Sequence, residues 1–373
     1  MSMRYQAAIM KPGFNPLGAQ TIVYNLFTWG QNINGPLGLG NTTNYSSPKQ
    51  VGTNGWTKVA GGRFHSVAVR SDGTLWAWGA NANGQLGLGN RTAYSSPKQV
   101  GALTNWLQTA CGHYYTVAVK TDGTLWTWGL NTNGQLGLGN TTQYSSPKQV
   151  GALTNWLQVS CNRISTFAIK TNNTAWSWGY NALGQLGQNN TTDLSSPKQI
   201  GALTNWLEVA SGYAHSIAKK TNGTLWAWGD GGQGQLGQNN TTSYSSPKQI
   251  GSLTTWLNIG ANYQNASAAV KTDGTLWTWG QNNVGQLGLG NTTSYSSVKQ
   301  VGSLTNWSKL GASNQSTFSI KTDGTLWAWG RNSEGQLGLG NTTAYSSPKQ
   351  VGSSTTWGVL GVTMGGFWCI ATG

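Results

Sequence analysis

The stretch Asp122-Gly-Thr-Leu-Trp-Thr-Trp128-Gly-Leu-Asn-Thr-Asn-Gly134-Gln-Leu-Gly-Leu138-Gly-Asn140 decides the fold, because it recurs almost unchanged along the chain. Its Trp-Gly pair occurs at Trp29, Trp78, Trp128, Trp178, Trp228, Trp279 and Trp329, with spacings of 49, 50, 50, 50, 51 and 50 residues. A period of this size marks a solenoid, a propeller or an array. The unit around it reads as strands. Residues 107–110 and 116–120 are rich in β-formers. Asp122-Gly123 is a two-residue hairpin turn, and residues 124–128 form a third strand. Residues 135–138 read as a glycine-weakened fourth strand, and residues 140–155 as a long connection. Four strands repeated seven times describe an all-β, seven-bladed propeller.

The chain ends support closure of the ring. The pattern that starts at Trp357 stops at Gly373, which aligns with Asp72. The missing half of that unit begins at Tyr24 and runs through Trp29-Gly30. Residues 357–373 and 24–51 therefore combine into one blade, split at a hairpin turn, and closure removes exposed sheet edges. Two regions are expected: an extended arm, 1–23, in which Pro12, Gly13, Pro16 and Gly18 oppose a long helix, and the propeller, 24–373.

Composition fits a packed β-protein. Only 8 % of residues are charged, but 21 Trp and 13 Tyr supply apolar area that a disordered chain lacks. Burying one Trp removes on the order of 200 Å² from water, roughly 4–6 kcal/mol before entropic costs. The net charge of +14 reflects scarce acids, eight in all. Four of them, Asp72, Asp122, Asp273 and Asp323, sit in hairpin turns. A basic surface favours anionic partners, but no Lys/Arg-rich run exists and nucleic acid is not the expected ligand. Cys111, Cys161 and Cys369 make neither a disulfide framework nor a metal motif. No charged segment followed by an apolar core marks a secretory leader, and no apolar run is long enough to span a membrane.

The pattern exemplified by Gly212-Tyr-Ala-His215-Ser-Ile-Ala and by Asp323-Gly-Thr-Leu-Trp-Ala-Trp-Gly330 with Gly335-Gln-Leu-Gly338 resembles the regulator of chromosome condensation (RCC1) repeat. The resemblance covers about 24–373 and implies a seven-bladed propeller. The founding member acts as a nucleotide exchange factor on a small GTPase and binds chromatin, and it uses acidic residues and an inserted β-wedge. This chain has few acids outside turns and no insertion between repeats, so that activity is not expected. The segment Lys11-Pro-Gly-Phe14-Asn-Pro-Leu-Gly-Ala-Gln20 looks like the arm of phage-encoded RCC1-like structural proteins.

Catalysis finds no constellation: Asp193, Glu208, Asp230 and Glu334 are scattered, and His65, His113 and His215 lie on different blades. No cofactor, metal or small-molecule substrate is expected. The tryptophans fall into three registers: the Trp-Gly series, a series two residues earlier (Trp76, Trp126, Trp176, Trp226, Trp277, Trp327), and one that opens each unit (Trp56 to Trp357). Inter-blade packing is the plain expectation for them and sugar stacking the sharper one. Lysines form two rings, one from Lys49 to Lys349 and one from Arg70 to Lys321, readable as anion-binding or as a solvated rim. Asn-x-Thr triplets such as Asn41-Thr-Thr43 read as turns. Lys219 stands where other units carry valine or isoleucine and is expected to reach into the channel.

Variation between repeats concentrates in two loops expected on one face. The loop between the first two strands reads Arg63-Phe64-His65, His113-Tyr114-Tyr115, Arg163-Ile-Ser165, Tyr213-Ala-His215, Tyr263-Gln-Asn265 and Met364-Gly-Gly366. The residue after Trp-Gly also varies, with Tyr180 and Arg331 the most interface-like. These positions are the candidate partner or glycan-binding face. Residues Arg4, Tyr5, Lys11 and Phe14 are the candidate assembly contacts of the arm. The expected role is a non-enzymatic phage virion component (capsid decoration, tail or fibre-associated). It would be made in the host cytoplasm, held by 1–23 to other virion proteins, and displayed toward anionic host-surface glycans. The alternative is a free lectin-like or protein-binding propeller of a bacterial cytoplasm or cell surface.

Overall fold

The computed structural model describes residues 24–373 except 263 and 362. The candidate arm contacts Arg4, Tyr5, Lys11 and Phe14, and the candidate loop residue Tyr263, lie outside the described residues. The described residues contain strands and no helix, arranged as seven antiparallel four-stranded sheets. One blade shows the plan: Trp106–Cys111 innermost, then Tyr115–Lys120, Leu125–Gly129 and Tyr144–Gln149 at the rim. The innermost strands surround a central channel of about 290 Å³. Each blade has two ends. The loop between the first two strands and the Trp-Gly glycine lie at one, called here the variable end. The Asp-Gly hairpin lies at the other, the hairpin end.

The ring closes as expected. Tyr45–Gln50, Leu26–Gly30, Trp368–Thr372 and Leu360–Gly361 form a single sheet from both ends of the chain. Asn25 and Gly373 exchange backbone hydrogen bonds of 3.1 and 3.0 Å across the gap. Because Trp368 pairs with Gly30 as His65 pairs with Gly79, Gly373 takes the place of Arg70 rather than Asp72. Two extra residues lie in the preceding loop. Its counterpart of Phe64 is therefore Phe367, and the reading Met364-Gly-Gly366 was out of step by two.

The fourth strand was also misplaced. Residues 135–138 are not a strand; the rim strand is Tyr144–Gln149, inside what reads as a connection. The Gln-Leu-Gly segment turns through left-handed glycines, Gly134 and Gly137 with φ of 74° and 71°. Asn131 holds it: its Oδ1 accepts from the Leu136 N–H at 2.9 Å, and its Nδ2 donates to the Asn140 and Thr142 carbonyls. The rim strand is hard to see because Ser, Pro and Lys disguise it. Pro147 is tolerated on an edge strand, and Lys148 discourages further pairing.

The turned segment receives the next blade. The Trp178 indole N–H donates to the Gln135 carbonyl at 3.0 Å, beside the Thr166 hydroxyl at 2.8 Å. A Cβ on Gly137 would stand 2.6 Å from that indole nitrogen. The bond recurs at every joint, including Trp78 to Pro36 and, at the closing joint, Trp29 to Gln336, both 2.8 Å. All seven of these tryptophans are fully buried. The series that opens each unit is also buried and meets them edge-on, as Trp156 meets Trp178 at 6.1 Å. Trp178→Phe removes the donor and part of the ring, and should cost about 2 kcal/mol. Urea unfolding would show this as a lower midpoint at unchanged slope.

Candidate binding face at the channel mouth

The variable-end loops start from glycines whose space the next strand uses. A Cβ on Gly62 would meet the His65 ring at 2.1 Å, and one on Gly112 the Tyr115 ring at 1.8 Å. His65 and Tyr115 are accordingly fully buried under the face rather than on it. His65 Nε2 lies 3.1 Å from Thr116 Oγ1, and the Tyr115 hydroxyl donates to the Ser165 carbonyl at 2.6 Å. Both lock neighbouring blades together and leave the candidate face, because the first residue of the second strand points between blades. Trp368 holds the same position and donates to the Arg63 carbonyl at 3.3 Å.

The residues just before these form the mouth. A depression of about 460 Å³ is lined by Arg63, His113, Arg163, Tyr213, Asn314 and Phe367, among others. The loops are tied in series: Arg63 N–H donates to the His113 carbonyl at 3.2 Å, and His113 N–H to the Arg163 carbonyl at 3.1 Å. Arg63 Nη1 donates to the Tyr114 hydroxyl at 3.1 Å and its guanidinium lies 5.0 Å from the Phe64 ring centre. Arg163 makes the matching bond to the Tyr213 hydroxyl. Arg331 stands 4.4 Å from the Phe367 ring and donates to Gln315 Oε1 and Ser333 Oγ. The mouth brings together Arg63, His113, Arg163 and Tyr213, with Tyr114 and Arg331 bonded or stacked to its lining. Tyr180 lies half-buried outside that lining, its carbonyl accepting from Ser165 Oγ. Phe367, Asn314 and Gln315 are the additions. Phe367 was hidden by the two-residue shift. Asn314 and Gln315 fall in a loop of the same register that carries no aromatic or charge to flag it.

The field at the mouth is positive. Burial, then Arg63 and Arg163, hold His113 down at about 3, so it is neutral at ordinary pH. Among the described residues no Asp or Glu lines the mouth. Asp230 lies at the variable end but accepts from Gln235 Nε2 at 2.9 Å. Among the described residues the ion pair Lys219–Glu208, at 3.1 Å, belongs to the channel wall. Lys219 also donates to the Leu257 carbonyl of the next blade. Burial raises the Glu208 carboxyl and Lys219 opposes that rise. Lys219 thus serves a cross-strand pair.

The two cation rings differ. Lys120 is 5 % exposed, its ammonium 3.9 Å from the Trp126 ring and 4.9 Å from Trp106. The series from Arg70 to Lys321 is therefore clamped between indoles. The series from Lys49 to Lys349 stands exposed. Asn41 and Asn140 close Asx turns on Thr43 and Thr142 at 3.0 Å. Among the described residues no group of three or more His, Cys, Asp or Glu could hold a metal ion. No helix there is long and apolar enough to cross a membrane.

The repeat geometry is matched by family models. The RCC1-like domain model matches residues 106–372, and the RCC1 repeat model residues 25–69 and 72–119. The chain belongs to the RCC1-like family. This RCC1-like propeller is similar in fold to human WBSCR16, with a TM-score of 0.82 at 18 % identity, covering 94 % of this chain and 98 % of that one. It is likewise similar to Prp20p of Saccharomyces cerevisiae, with a TM-score of 0.82 at 19 % identity, covering 95 % and 92 %. No curated protein matches the sequence.

The buried histidines set an acid limit. His65 and His113 are held at about 3 and His215 at about 4, each chiefly by burial. The folded RCC1-like propeller prefers them neutral, so their contribution is complete above about pH 6.5 and is lost as pH falls toward 4. Each costs about 1.4 kcal/mol per pH unit in that window. Unfolding midpoints should drop between pH 6.5 and 4.5, and less steeply in H65N/H215N.

Proposed function

We propose that this chain is a non-enzymatic binding propeller whose channel mouth takes an anionic group from a protein or glycan surface. One observation carries the reading. Arg63 and Arg163 converge on a 460 Å³ depression that no acid lines, beside Tyr213 and Phe367. Guanidinium groups held by tyrosine hydroxyls are pre-organised for carboxylate, sulfate or phosphate oxygens. Aromatic rings beside them supply the apolar contact typical of binding hot spots. The fully buried tryptophans of the repeat are consumed by packing, and selectivity at the mouth falls to these loops.

The finer reading is a phage virion component displayed by residues 1–23. Two points support it. The arm's Lys11–Gln20 segment resembles that of phage-encoded RCC1-like structural proteins. Tyr24 emerges at the hairpin end, where its carbonyl accepts from Trp56 N–H at 3.0 Å as Gly73 accepts from Trp106. The arm therefore joins the ring at the end opposite the mouth. A free bacterial lectin-like propeller would use the same mouth.

Glycan-array binding should favour acidic over neutral glycans and weaken with salt. R63A/R163A should lower affinity at least about tenfold, since each hydrogen bond to a charged group is worth about 1.5–3 kcal/mol. Equal binding by this variant would refute the mouth as the site. A variant beginning at Tyr24 should keep glycan binding and lose particle incorporation; incorporation without the arm would exclude the anchor role.

A further inference from the structure

The Trp76-to-Trp327 series differs from the other two tryptophan registers. Each of its members is half-buried, whereas the other two series are buried. Trp126 forms one wall of a groove of about 420 Å³ at the hairpin end, between two blades. Gln99, Gly101, Leu103, Lys120 and Pro147 line the rest. One blade on, Trp176 and Leu153 line a second groove of about 380 Å³, with Gln149, Gly151 and Pro197 at the repeat positions of Gln99, Gly101 and Pro147. Leu103, Leu153, Leu203, Leu253 and Leu304 are 46–49 % exposed, each followed by the clamped-lysine blade carrying Trp126, Trp176, Trp226, Trp277 or Trp327. Within these five joints Gln188 and Gln238 stand in place of Leu88, and Val298 in place of Pro147; the two remaining joints break the set. One has Thr53 and Arg70 in place of leucine and lysine. The other has Ser354, Phe27 and no cation.

We propose that these two grooves and the three joints of like sequence form one multivalent site for an acidic polysaccharide. The repetition itself points to the class of ligand. A globular protein surface does not repeat with the pitch of a blade, whereas a polymer of like units can occupy equal grooves in turn. The chemistry of each groove narrows it further. The Trp126 indole N–H is already given to Thr124 Oγ1 at 2.9 Å, so its remaining surface is apolar ring. That surface and Leu103 suit the C–H face of a pyranose, and the exposed Gln99 amide suits its hydroxyls. Lys120 occupies part of the indole, which leaves less than the full face a stacked nucleobase uses. Charge selects an acidic chain. Two cation series, of seven and six residues, lie toward the hairpin end and outnumber its four hairpin acids, Asp72, Asp122, Asp273 and Asp323, which the threonine two residues on holds ionised.

The test uses the full chain in affinity electrophoresis with polygalacturonate, dextran and oligo-dT. Polygalacturonate should retard the protein, and a galacturonate monomer should compete at least about a hundredfold less well per sugar, as expected for linked sites. L103T/L153T/L203T/L253T/L304T introduces the residue found at Thr53 without changing charge, and should weaken retardation at least about tenfold. L153T alone should change it less than about threefold. R63A/R163A should leave it unchanged, which separates this site from the channel mouth. If the fivefold threonine variant fails to fold, Q99E/Q149E/Q199E/Q249E/Q300E should give the same loss. Retention of full retardation by a folded fivefold variant overturns the proposal, as does equal retardation by dextran. Retardation by oligo-dT in place of polygalacturonate would assign the grooves to nucleic acid and overturn it too.

Discussion

Everything in this ring depends on one bond repeated at each joint: an indole N–H given to a backbone carbonyl of the preceding blade. Trp178 and Gln135 show why it is placed there. The carbonyl sits in a turn that needs left-handed glycines, and the indole needs the space those glycines leave. The Trp-Gly glycine meets a further demand. Gly129 has φ of 103°, and a Cβ on it would stand 2.5 Å from the Tyr114 carbonyl. The motif that recurs every fifty residues is thus a plug and a socket on one chain. Each unit carries both, so a blade is completed only by its neighbour. At the last joint, Trp29 from the start of the chain fills the socket made by Gln336 near its end.

Much of this was legible before any coordinates. The hairpin reads directly, because Asp72 must accept from Thr74 and Gly73 must turn with φ of 78°. The closing blade reads from complementary chain ends. Two features escaped for physical reasons. The rim strand Tyr144–Gln149 pairs on one side only, so its sequence answers to solubility and carries little β signal. The socket segment, by contrast, has leucines spaced by two, as a strand would, with Leu136 buried and Leu138 half-buried, yet its glycines curl it into a turn. Burial of Leu136 comes from the clamp at Asn131, which a pattern of alternation cannot reveal.

The candidate face was legible in outline and wrong in detail for a related reason. Variation marks the loops, but it does not separate a side chain that faces solvent from one that faces the next blade. His65 and Tyr115 vary because each joint can be closed by a different hydrogen-bonding group, not because a partner reads them. Arg63, His113 and Arg163 vary at the mouth itself. The cations divide in the same way. Sequence spacing places Lys98 and Lys120 in similar rings, but the first stands over its own strand's Tyr94 in water and the second is sandwiched between indoles.

The split blade also fixes how the molecule bears load. Tyr24 leads directly into Leu26–Gly30, which lies between Tyr45–Gln50 and Trp368–Thr372. A pull on Tyr24 directed along Leu26–Gly30 would run along that strand's own axis. Its ladders to both neighbours are then strained together, in shear, rather than peeled one bond at a time. The strand also ends in Trp29, whose indole is seated in the Gln336 socket on the adjoining blade. The seam where the circle is joined is therefore reinforced along the axis of its first strand.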